Sequence, residues 1–296
     1  MKLNAKTLHN EEYFYGHKAC GGCGESLALR HAMKVLGPNT FAALPAGCMA
    51  AVSFIYPNMA FTTNAMITPF AATGAVASGI AAGLEALGID GTQTIGIAGD
   101  GGTADIGFQA LSGAIDRNDD IIYLATDNEA YMNTGIQKSG LTPYGTRTTT
   151  SPAGKNLPGS VNQKKNMFEI VAAHGIAYAA TASVGYLEDF LAKVAKAKET
   201  RGTSYIHVFV PCPTGWGYPA HKTVSLAKAA VDSGLWYLAE YEKGAFKLNR
   251  NPGSFTPVAD YLKAQSRFRH LTEEDISRIE AARDAKWENM RRQWQG

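Results

Sequence analysis

The stretch from Gly99 to Gln137, GDGGTADIGFQALSGAIDRNDDIIYLATDNEAYMNTGIQ, decides the fold prediction. It joins a Gly-Asp-Gly turn to a helix-like run, continues into the strand-like run DIIYLAT, and ends in Asp-Asn-Glu and Asn-Thr-Gly. The run QTIGIA just before it is short and apolar, which is typical of a buried parallel strand. One strand–helix–strand crossover therefore carries acidic and amide side chains at both of its ends.

The same alternation extends in both directions along the chain. Strand-like runs are TFAAL, QTIGIA, DIIYLAT, AYAATA and SYIHVFV, and helix-like runs are GESLALRHAMKVLG, residues 70–87, residues 103–115, FEIVAAHG and YLEDFLAKVAKAKE. Strands separated by helices predict an α/β fold, a parallel sheet with helices on both faces and right-handed crossovers, over residues 1–210. Residues 211–296 lose this rhythm and are predicted to be a C-terminal extension, with a charged helix that starts at a capping box at Thr272.

Composition and charge narrow the classes of function. A net charge of +2 gives no reason to expect a nucleic acid or an anionic membrane surface as a partner. The N-terminal residues lack the apolar core of a secretory signal, so the cytoplasm is the expected location. The segment from Phe41 to Leu84 has no charged residue, but its prolines and small residues argue against a membrane span. We expect this segment to be buried in the fold or against another subunit. Small residues recur at four-residue spacing from Gly74, and this spacing predicts that another helix packs closely there.

Two polar clusters follow the strands of the central crossover. Asp100 follows QTIGIA and Asn128 follows DIIYLAT, so both side chains are expected at the carboxyl edge of the sheet, where ligands bind. Carboxylate and amide oxygens suit Mg²⁺, which often bridges protein oxygens to phosphates. The glycines are expected to let the backbone approach a ligand, and a helix from Thr103 to offer free N–H groups to an anion. A plain turn with a helix cap is the alternative; the glycines are Gly99, Gly101 and Gly102.

The four cysteines, Cys20, Cys23, Cys48 and Cys212, all lie in turns rich in glycine or proline. A disulfide framework is not expected in a chain of this size without a signal peptide. A Cys-x-x-Cys pair with two distant single cysteines can place four thiolates around zinc or around a [4Fe–4S] cluster. The spacing alone leaves both possibilities open.

Several blocks together resemble a known family. They are GHKACGGCGESLALR, GCMAAV, GAVASGI, GDGGTADIGFQALSGAIDRN, DNEAYMNTGIQKSG, TTTSPAGK, AAHGIAYAATAS, PCPTGW and RFRHLTEEDI. In this order they resemble the β subunit of the multi-subunit 2-oxoacid:ferredoxin oxidoreductases, the pyruvate synthase family. The resemblance implies the thiamine diphosphate-binding fold of the diphosphate half.

The resemblance also implies cofactors and their ligands. Magnesium would be held by Asp100, by the side-chain oxygen of Asn128 and by the carbonyl of Ala130, and a [4Fe–4S] cluster by the four cysteines. Asn133 would reach the reacting carbon, which makes it the catalytic candidate. The full set implied to bind the cofactor is Gly99, Asp100, Gly101, Gly102, Thr103, Asn128, Ala130, Asn133 and Thr134.

The implied reaction is the oxidative decarboxylation of a 2-oxoacid, with transfer of the acyl group to coenzyme A and of electrons to the cluster. The glutamate that activates the cofactor in this family comes from a partner domain. We therefore expect an obligate heteromer with pyrimidine-binding and ferredoxin-like subunits, whose final acceptor is ferredoxin or NAD.

The residues after Cys48 depart from the pyruvate-type pattern. Met59, Phe61 and Met66 fit either the core or a pocket widened for a bulkier acid such as phenylglyoxylate. The rival functions are a zinc-stabilised scaffold subunit without catalysis and a non-oxidative thiamine decarboxylase.

Further polar residues have two interpretations. His17 and His31 flank the Cys-x-x-Cys motif as a fifth ligand or proton relay, or as structural histidines. A long polar loop contains three lysines, Lys155, Lys164 and Lys165. One interpretation is that they attract an anionic substrate or coenzyme A, and the other is that they are simply solvated.

Overall fold

The computed structural model describes residues 3–8, 11–155 and 157–294, and its largest feature is one sheet of eight strands. The strands are, in chain order, β1 (Thr40–Pro45), β2 (Phe54–Ile55), β3 (Asn58–Met59), β4 (Asn64–Thr68), β5 (Gln93–Gly99), β6 (Ile122–Asp127), β7 (Ala153–Gly154), β8 (Leu157–Pro158), β9 (Tyr178–Ser183), β10 (Ser204–Phe209), β11 (Ala239–Glu242) and β12 (Ala245–Leu248). The large sheet has the order β12-β11-β9-β10-β6-β5-β1-β4, and β2–β3 and β7–β8 are separate two-stranded hairpins.

The six strands from β9 to β4 are parallel, and β11 and β12 are antiparallel additions at one edge. The predicted mostly parallel sheet is therefore confirmed. The helices are α1 (Gly24–Leu36), α2 (Cys48–Ser53), α3 (Thr73–Ala86), α4 (Asp100–Ala104), α5 (Phe108–Arg117), α6 (Met167–Ala173), α7 (Leu187–Glu199), α8 (Pro213–Trp216), α9 (Thr223–Asp232), α10 (Val258–Lys263) and α11 (Glu273–Trp294).

Helices cover both faces of the sheet because neighbouring residues on a strand point to opposite sides. On one face, Leu124 of β6 packs in a cluster with residues of α1 and α7, such as Leu29 and Phe190. On the other face, Tyr123 packs in a second cluster with residues of α5, α6 and α11, such as Leu111. The two apolar cores fix the sheet between two helical layers.

The structure differs from the sequence-based expectations in one helix and in three strands that were not predicted. The helix predicted over residues 103–115 is broken into α4 and α5, because the chain leaves the helical conformation at Asp105 (φ −114°, ψ −95°). An edge strand, β4, lies within the charge-free segment, where its mostly exposed residues hid the pattern of a buried strand. In the C-terminal part, β11 and β12 join the large sheet.

The small-residue helix α3 packs closely against α5 at Gly74. A Cβ atom on Gly74 would lie 2.7 Å from the carbonyl carbon and oxygen of Ala110, so a larger side chain would force the helices apart. The predicted close packing is thus confirmed within the chain at this position. Gly79 and Gly83 instead face open space. No helix among the described residues is long and apolar enough to cross a membrane.

The last helix, α11, begins with the predicted capping box. The hydroxyl of Thr272 accepts a hydrogen bond from the backbone N–H of Asp275 (3.2 Å), and the Asp275 carboxylate accepts one from the backbone N–H of Thr272 (3.0 Å). Farther along, Trp287 and Met290 are buried against the second core. The C-terminal helix therefore closes one face of the sheet.

Candidate functional site

The two polar clusters meet because β5 and β6 are neighbours. Gly99, the last residue of β5, lies beside Thr126, and both strands end at the same edge of the sheet. Asp100 then begins α4, and Asn128 follows the last residue of β6. The expectation from the crossover, that Asp100 and Asn128 face one point, agrees with this register.

Three polar groups converge at that point. One terminal atom of the Asn128 side-chain amide lies 2.8 Å from the carbonyl oxygen of Ala130 and 3.2 Å from Oδ1 of Asp100. Neighbouring ligands of an octahedral Mg²⁺ at 2.0–2.1 Å are separated by about 3 Å, so the spacing fits this cation. Hydrogen bonding within the chain favours the amide nitrogen at this position, where it donates to both oxygens. A cation would require the rotated amide, which brings three oxygens together.

The electrostatics of Asp100 also fit a cation. Asp100 is buried, and its Oδ2 accepts a hydrogen bond from the hydroxyl of Ser139. Burial, followed by the charge of Asp127, raises the pKa of Asp100 well above its usual value. A cation beside the carboxylate would favour the ionised form and reverse this shift.

The backbone at Glu129 makes the convergence possible. Its φ of 68° lies in the left-handed region, which is uncommon for a residue other than glycine. Thr142 supports the turn by donating a hydrogen bond to the Glu129 carbonyl (2.7 Å). Because of this turn, the side chain of Asn128 and the carbonyl of Ala130 face the same side.

On the opposite side of the segment Asp127–Ala130, lysine and arginine side chains form ion pairs with the carboxylates. Lys164 Nζ lies 2.5 Å from Asp127 Oδ2 and 2.9 Å from Glu129 Oε1, and Arg267 lies 2.5 Å from the other oxygen of Glu129. His207 Nε2 lies 2.9 Å from Asp127. Burial opposes ionisation of Asp127, but Lys164 and His207 outweigh it, so the pKa of Asp127 is lowered. Both carboxylates are therefore balanced within the chain.

A tryptophan links this segment to the region of Cys212. Trp216 in α8 donates a hydrogen bond from Nε1 to the carbonyl of Asn128 (2.8 Å), and Arg267 lies 3.6 Å above its ring. Sequence reasoning missed Trp216, Arg267 and Ser139, because their contacts join positions far apart in the chain. No local spacing signals such contacts.

A small cavity of about 60 Å³ opens beside the three converging polar groups. Most of the residues predicted to bind the cofactor line it, and they are Gly99, Asp100, Gly101, Gly102, Asn128, Ala130, Asn133 and Thr134. Thr103 differs: it is buried, and its hydroxyl lies 3.5 Å from both the Ala98 carbonyl and the Tyr123 hydroxyl, so it points into the core. Gly101 makes room for a neighbour, since a Cβ atom there would lie 2.2 Å from the ring of Tyr131.

Glu25 is a further residue of this cavity that sequence reasoning missed. It is buried at the start of α1 and accepts a hydrogen bond from the Thr126 hydroxyl (2.7 Å). Burial raises the pKa of Glu25 to about 7. An acidic residue in the first turn of a helix usually stabilises the helix through its dipole, so nothing in the sequence indicated that Glu25 lines a cavity. The cavity also includes Cys48, so it reaches from the oxygens to the cysteine region.

The four cysteines lie in one region. Cys23 and Cys212 cap α1 and α8, and their sulfurs accept hydrogen bonds from the backbone N–H groups of Ser26 (3.5 Å) and Gly215 (3.3 Å). Cys48 begins α2. Burial, and then the charges of Glu25 and of the other three cysteines, raise the pKa of Cys48. Within residues 3–8, 11–155 and 157–294, no three His, Cys, Asp or Glu side chains are arranged to hold a single metal ion.

The remaining candidates have local partners or lie elsewhere. His31 Nδ1 lies 2.9 Å from the Leu27 carbonyl, and His17 stacks on Phe14. Lys165 pairs with Asp105 (2.7 Å), so together with Lys164 it is engaged in ion pairs, whereas Lys155 is exposed.

The core interpretation is confirmed for Phe61, which is buried against Phe14. It is wrong for Met59 and Met66, which are exposed because they lie on a short hairpin and on the edge strand.

Comparisons with known proteins identify the family of the domain that carries this site. Residues 45–208 match the model of the thiamine pyrophosphate enzyme, C-terminal TPP binding domain. The chain is 51% identical to pyruvate synthase subunit PorB of Methanothermobacter thermautotrophicus, over 93% of this chain and 96% of the relative. It is 47% identical to ketoisovalerate oxidoreductase subunit VorB of Pyrococcus horikoshii, over 99% of this chain and 96% of the relative.

A solved structure shares the fold. The 2-oxoglutarate:ferredoxin oxidoreductase from Magnetococcus marinus matches with a TM-score of 0.60 and 23% identity, over 70% of each chain. At this identity the match supports the fold alone. The family model and the two relatives that align over nearly the whole chain show the family. This chain belongs to the β-subunit family of the 2-oxoacid:ferredoxin oxidoreductases, and is an oxidoreductase subunit with a thiamine diphosphate-binding domain.

Proposed function

We propose that the chain is the β subunit of a coenzyme A-acylating 2-oxoacid oxidoreductase that binds the diphosphate of thiamine diphosphate through Mg²⁺. The observation that carries the proposal is the convergence of the Asp100 carboxylate, the Asn128 side-chain amide and the Ala130 carbonyl. Their hard-oxygen chemistry suits Mg²⁺, and the matching domain family supports the cofactor.

The overall reaction that we propose converts a 2-oxoacid and coenzyme A into acyl-coenzyme A, CO₂, one proton and two electrons. When bound, thiamine diphosphate supplies the carbon that adds to the 2-oxo group and takes up the electrons released with CO₂. The residues of this chain hold and orient the reacting groups. In this proposal Asp100 and Asn128 fix the diphosphate end, and Asn133, which lines the cavity and is exposed, is assigned the contact with the substrate.

We propose that Cys20, Cys23, Cys48 and Cys212 hold the [4Fe–4S] cluster that receives these electrons. Hydrogen bonds from backbone N–H groups to two of the sulfurs stabilise thiolates, which supports this role. Four thiolates can hold either zinc or a cluster. Zinc has no redox chemistry, whereas a [4Fe–4S] cluster can take up the electrons that the proposed reaction releases.

The site needs a partner subunit in this proposal. A cavity of about 60 Å³ is far smaller than the roughly 300 Å³ at which small-molecule sites begin. The pyrimidine end of the cofactor and its activating glutamate are thus assigned to another subunit, and electrons pass on through a ferredoxin-like subunit. The exposed, charge-free region around Met66 and Ile67 of β4 offers an apolar surface for such a partner.

The substrate that we propose is a small 2-oxoacid. The named relatives favour pyruvate and ketoisovalerate. The case for phenylglyoxylate rested on Met59, Phe61 and Met66, but the first and last are exposed and Phe61 is in the core. These positions therefore do not support an aryl acid.

The test is to assay the purified complex with pyruvate, ketoisovalerate and phenylglyoxylate, each with coenzyme A and an artificial electron acceptor. We expect reduction that depends on coenzyme A and on thiamine diphosphate, and the complex to be brown and to bleach on reduction. A complex that is inactive with all three acids would contradict the proposed reaction. A colourless chain with one bound zinc would contradict the cluster and favour the scaffold function.

A further inference from the structure

A second and larger cavity, of about 500 Å³, shares a wall with the segment that carries the magnesium ligands. It is lined by Glu129, and by Lys164 and His207, which are the partners of Asp127. Other parts of its wall come from the start of α6, the loop before β11 and the inner side of α11, with further residues from α9 and α10. Its volume is in the range of small-molecule sites, roughly 300–1,000 Å³.

Aromatic rings form the apolar part of this cavity. Trp236 stacks on Phe209 with 5.0 Å between ring centroids and on Tyr237 with 6.2 Å. Tyr261 contributes a fourth ring to the lining. All four residues are buried in the chain. Flat rings held by their neighbours provide a rigid surface for the apolar body of a ligand.

Cationic side chains outnumber anionic ones among the residues that line the cavity. At its inner end, Lys164 is already balanced by two carboxylates. Toward α11, Lys286 rests its ammonium group on an aromatic ring, with Nζ 4.3 Å from the centroid of Tyr237. Five cationic and two anionic side chains line the cavity in total, and they are Lys164, Lys165, Arg278, Arg283 and Lys286, with Glu129 and Glu169.

Lys286 is the cation that contacts the aromatic part of the cavity wall. The residue as a whole is exposed, and part of its surface is the wall of the cavity. Burial lowers the pKa of Lys286 to about 8, with Glu169 and Lys164 acting in opposite directions. At pH 7 the amine is still largely protonated and would be stabilised by an anion.

We propose that this cavity binds a small organic carboxylate with an aromatic or branched apolar body, with the carboxylate on Lys286 and the body against Trp236 and Tyr237. Of the five cations, Lys164, Lys165 and Arg283 pair with carboxylates, and Arg278 lies on the ring of Tyr144. The ammonium group of Lys286 beside flat rings matches one carboxylate, whereas a phosphate ester would require more donors. The site is separate from the proposed diphosphate site, since a different set of side chains forms it.

The test measures the binding of 4-phenylbutyrate to the assembled complex by calorimetry and by tryptophan fluorescence. We expect saturable binding, and an affinity at least tenfold lower for Lys286→Met, because a hydrogen bond to a charged group is lost. Lys286→Arg keeps the charge and is expected to restore most of the affinity. The uncharged 4-phenylbutanamide is expected to bind as weakly to the native complex as 4-phenylbutyrate binds to Lys286→Met.

The matched control is Arg292→Met, which removes a positive charge from the exposed surface of the same helix. It is expected to leave the affinity unchanged. Equal affinities for the native complex and Lys286→Met, or no saturable binding to the native complex, would overturn the proposal. Neither result depends on the 2-oxoacid reaction, so failure here is distinct from failure of the proposed function.

Discussion

The two sides of the segment Asp127–Ala130 differ in how their oxygen atoms are neutralised. On one side, the carboxylates of Asp127 and Glu129 are in contact with Lys164 and Arg267. On the other, the carboxylate of Asp100 has a hydroxyl partner and converges with two neutral groups, the Asn128 amide and the Ala130 carbonyl. On the first side, which we call the balanced side, the chain itself supplies the neutralising cations. On the second, the unbalanced side, a cation from solution would have to supply the positive charge.

This difference explains why the segment can serve as a rigid metal site. Removing one partner of a buried ion pair is costly, so the balanced side holds the backbone in place. The strained φ of Glu129 persists because the surrounding contacts determine it. The unbalanced side is then preorganised, and a bound cation does not have to order the loop. Stability and ligand affinity are therefore expected to respond differently to substitutions on the two sides.

The largest effect is expected from Lys164→Met, which breaks the balanced side. The substitution leaves Asp127 and Glu129 buried with too little positive charge, so the free energy of unfolding should fall by about 3–5 kcal/mol. The neighbouring substitution Lys165→Met is the control. Its ion pair with Asp105 is partly exposed, and its loss should cost less than about 1 kcal/mol. Urea unfolding measures both, and similar losses would contradict the distinction between the two lysines.

Asp100→Asn removes charge from the unbalanced side. We expect magnesium-dependent binding of thiamine diphosphate to the complex to weaken at least 100-fold, about 2.7 kcal/mol, because the amide lacks the negative charge that the cation needs. Without the cation, stability should stay the same or rise, since burial raises the pKa of Asp100 and the charged form is disfavoured.

The control for this experiment is Asp90→Asn, at an exposed position. It should change neither cofactor affinity nor stability. A clear loss of stability in Asp100→Asn, with cofactor affinity retained, would mean that Asp100 belongs to the structural side of the comparison.

Trp216→Phe tests the connection between the segment and the cysteine region. Phenylalanine keeps an aromatic ring below Arg267 but loses the hydrogen bond to the Asn128 carbonyl, which should cost about 1–2 kcal/mol. Trp287→Phe is the matched control, because its indole donates an equivalent bond to the Gly234 carbonyl (2.8 Å). Both variants should lose similar stability by urea unfolding. Only Trp216→Phe should also weaken thiamine diphosphate binding, and equal binding by the two variants would refute the connection.

The sequence was sufficient to predict the unbalanced side but not the balanced one. Asp100 and Asn128 each follow a recognisable buried strand, and parallel strands end at a common edge, so their meeting could be predicted. Lys164 comes from a long loop without periodicity, and Arg267 lies 138 residues beyond its partner Glu129. Contacts of this kind depend on the tertiary fold. Strand β4 could not be predicted either, because its position at the edge of the sheet leaves most of its residues exposed and removes the apolar pattern of a buried strand.

The smallest effect is expected from Thr142→Val, which weakens the support of the turn between the two sides. Valine has a similar shape but can neither donate the hydrogen bond to the Glu129 carbonyl nor accept the one from the backbone N–H of Ser139 (2.9 Å), so the free energy of unfolding should fall by about 1 kcal/mol. Because the left-handed turn aligns Asn128 and Ala130, cofactor affinity should also fall, by a few-fold. Thr203→Val is the control, since its buried hydroxyl bonds to the carbonyls of Ala114 and Asp119, away from the site. Loss of affinity in Thr142→Val beyond that in Thr203→Val would show that the geometry of the turn itself contributes to binding, whereas equal affinities would mean that the ion pairs alone hold the ligands in place.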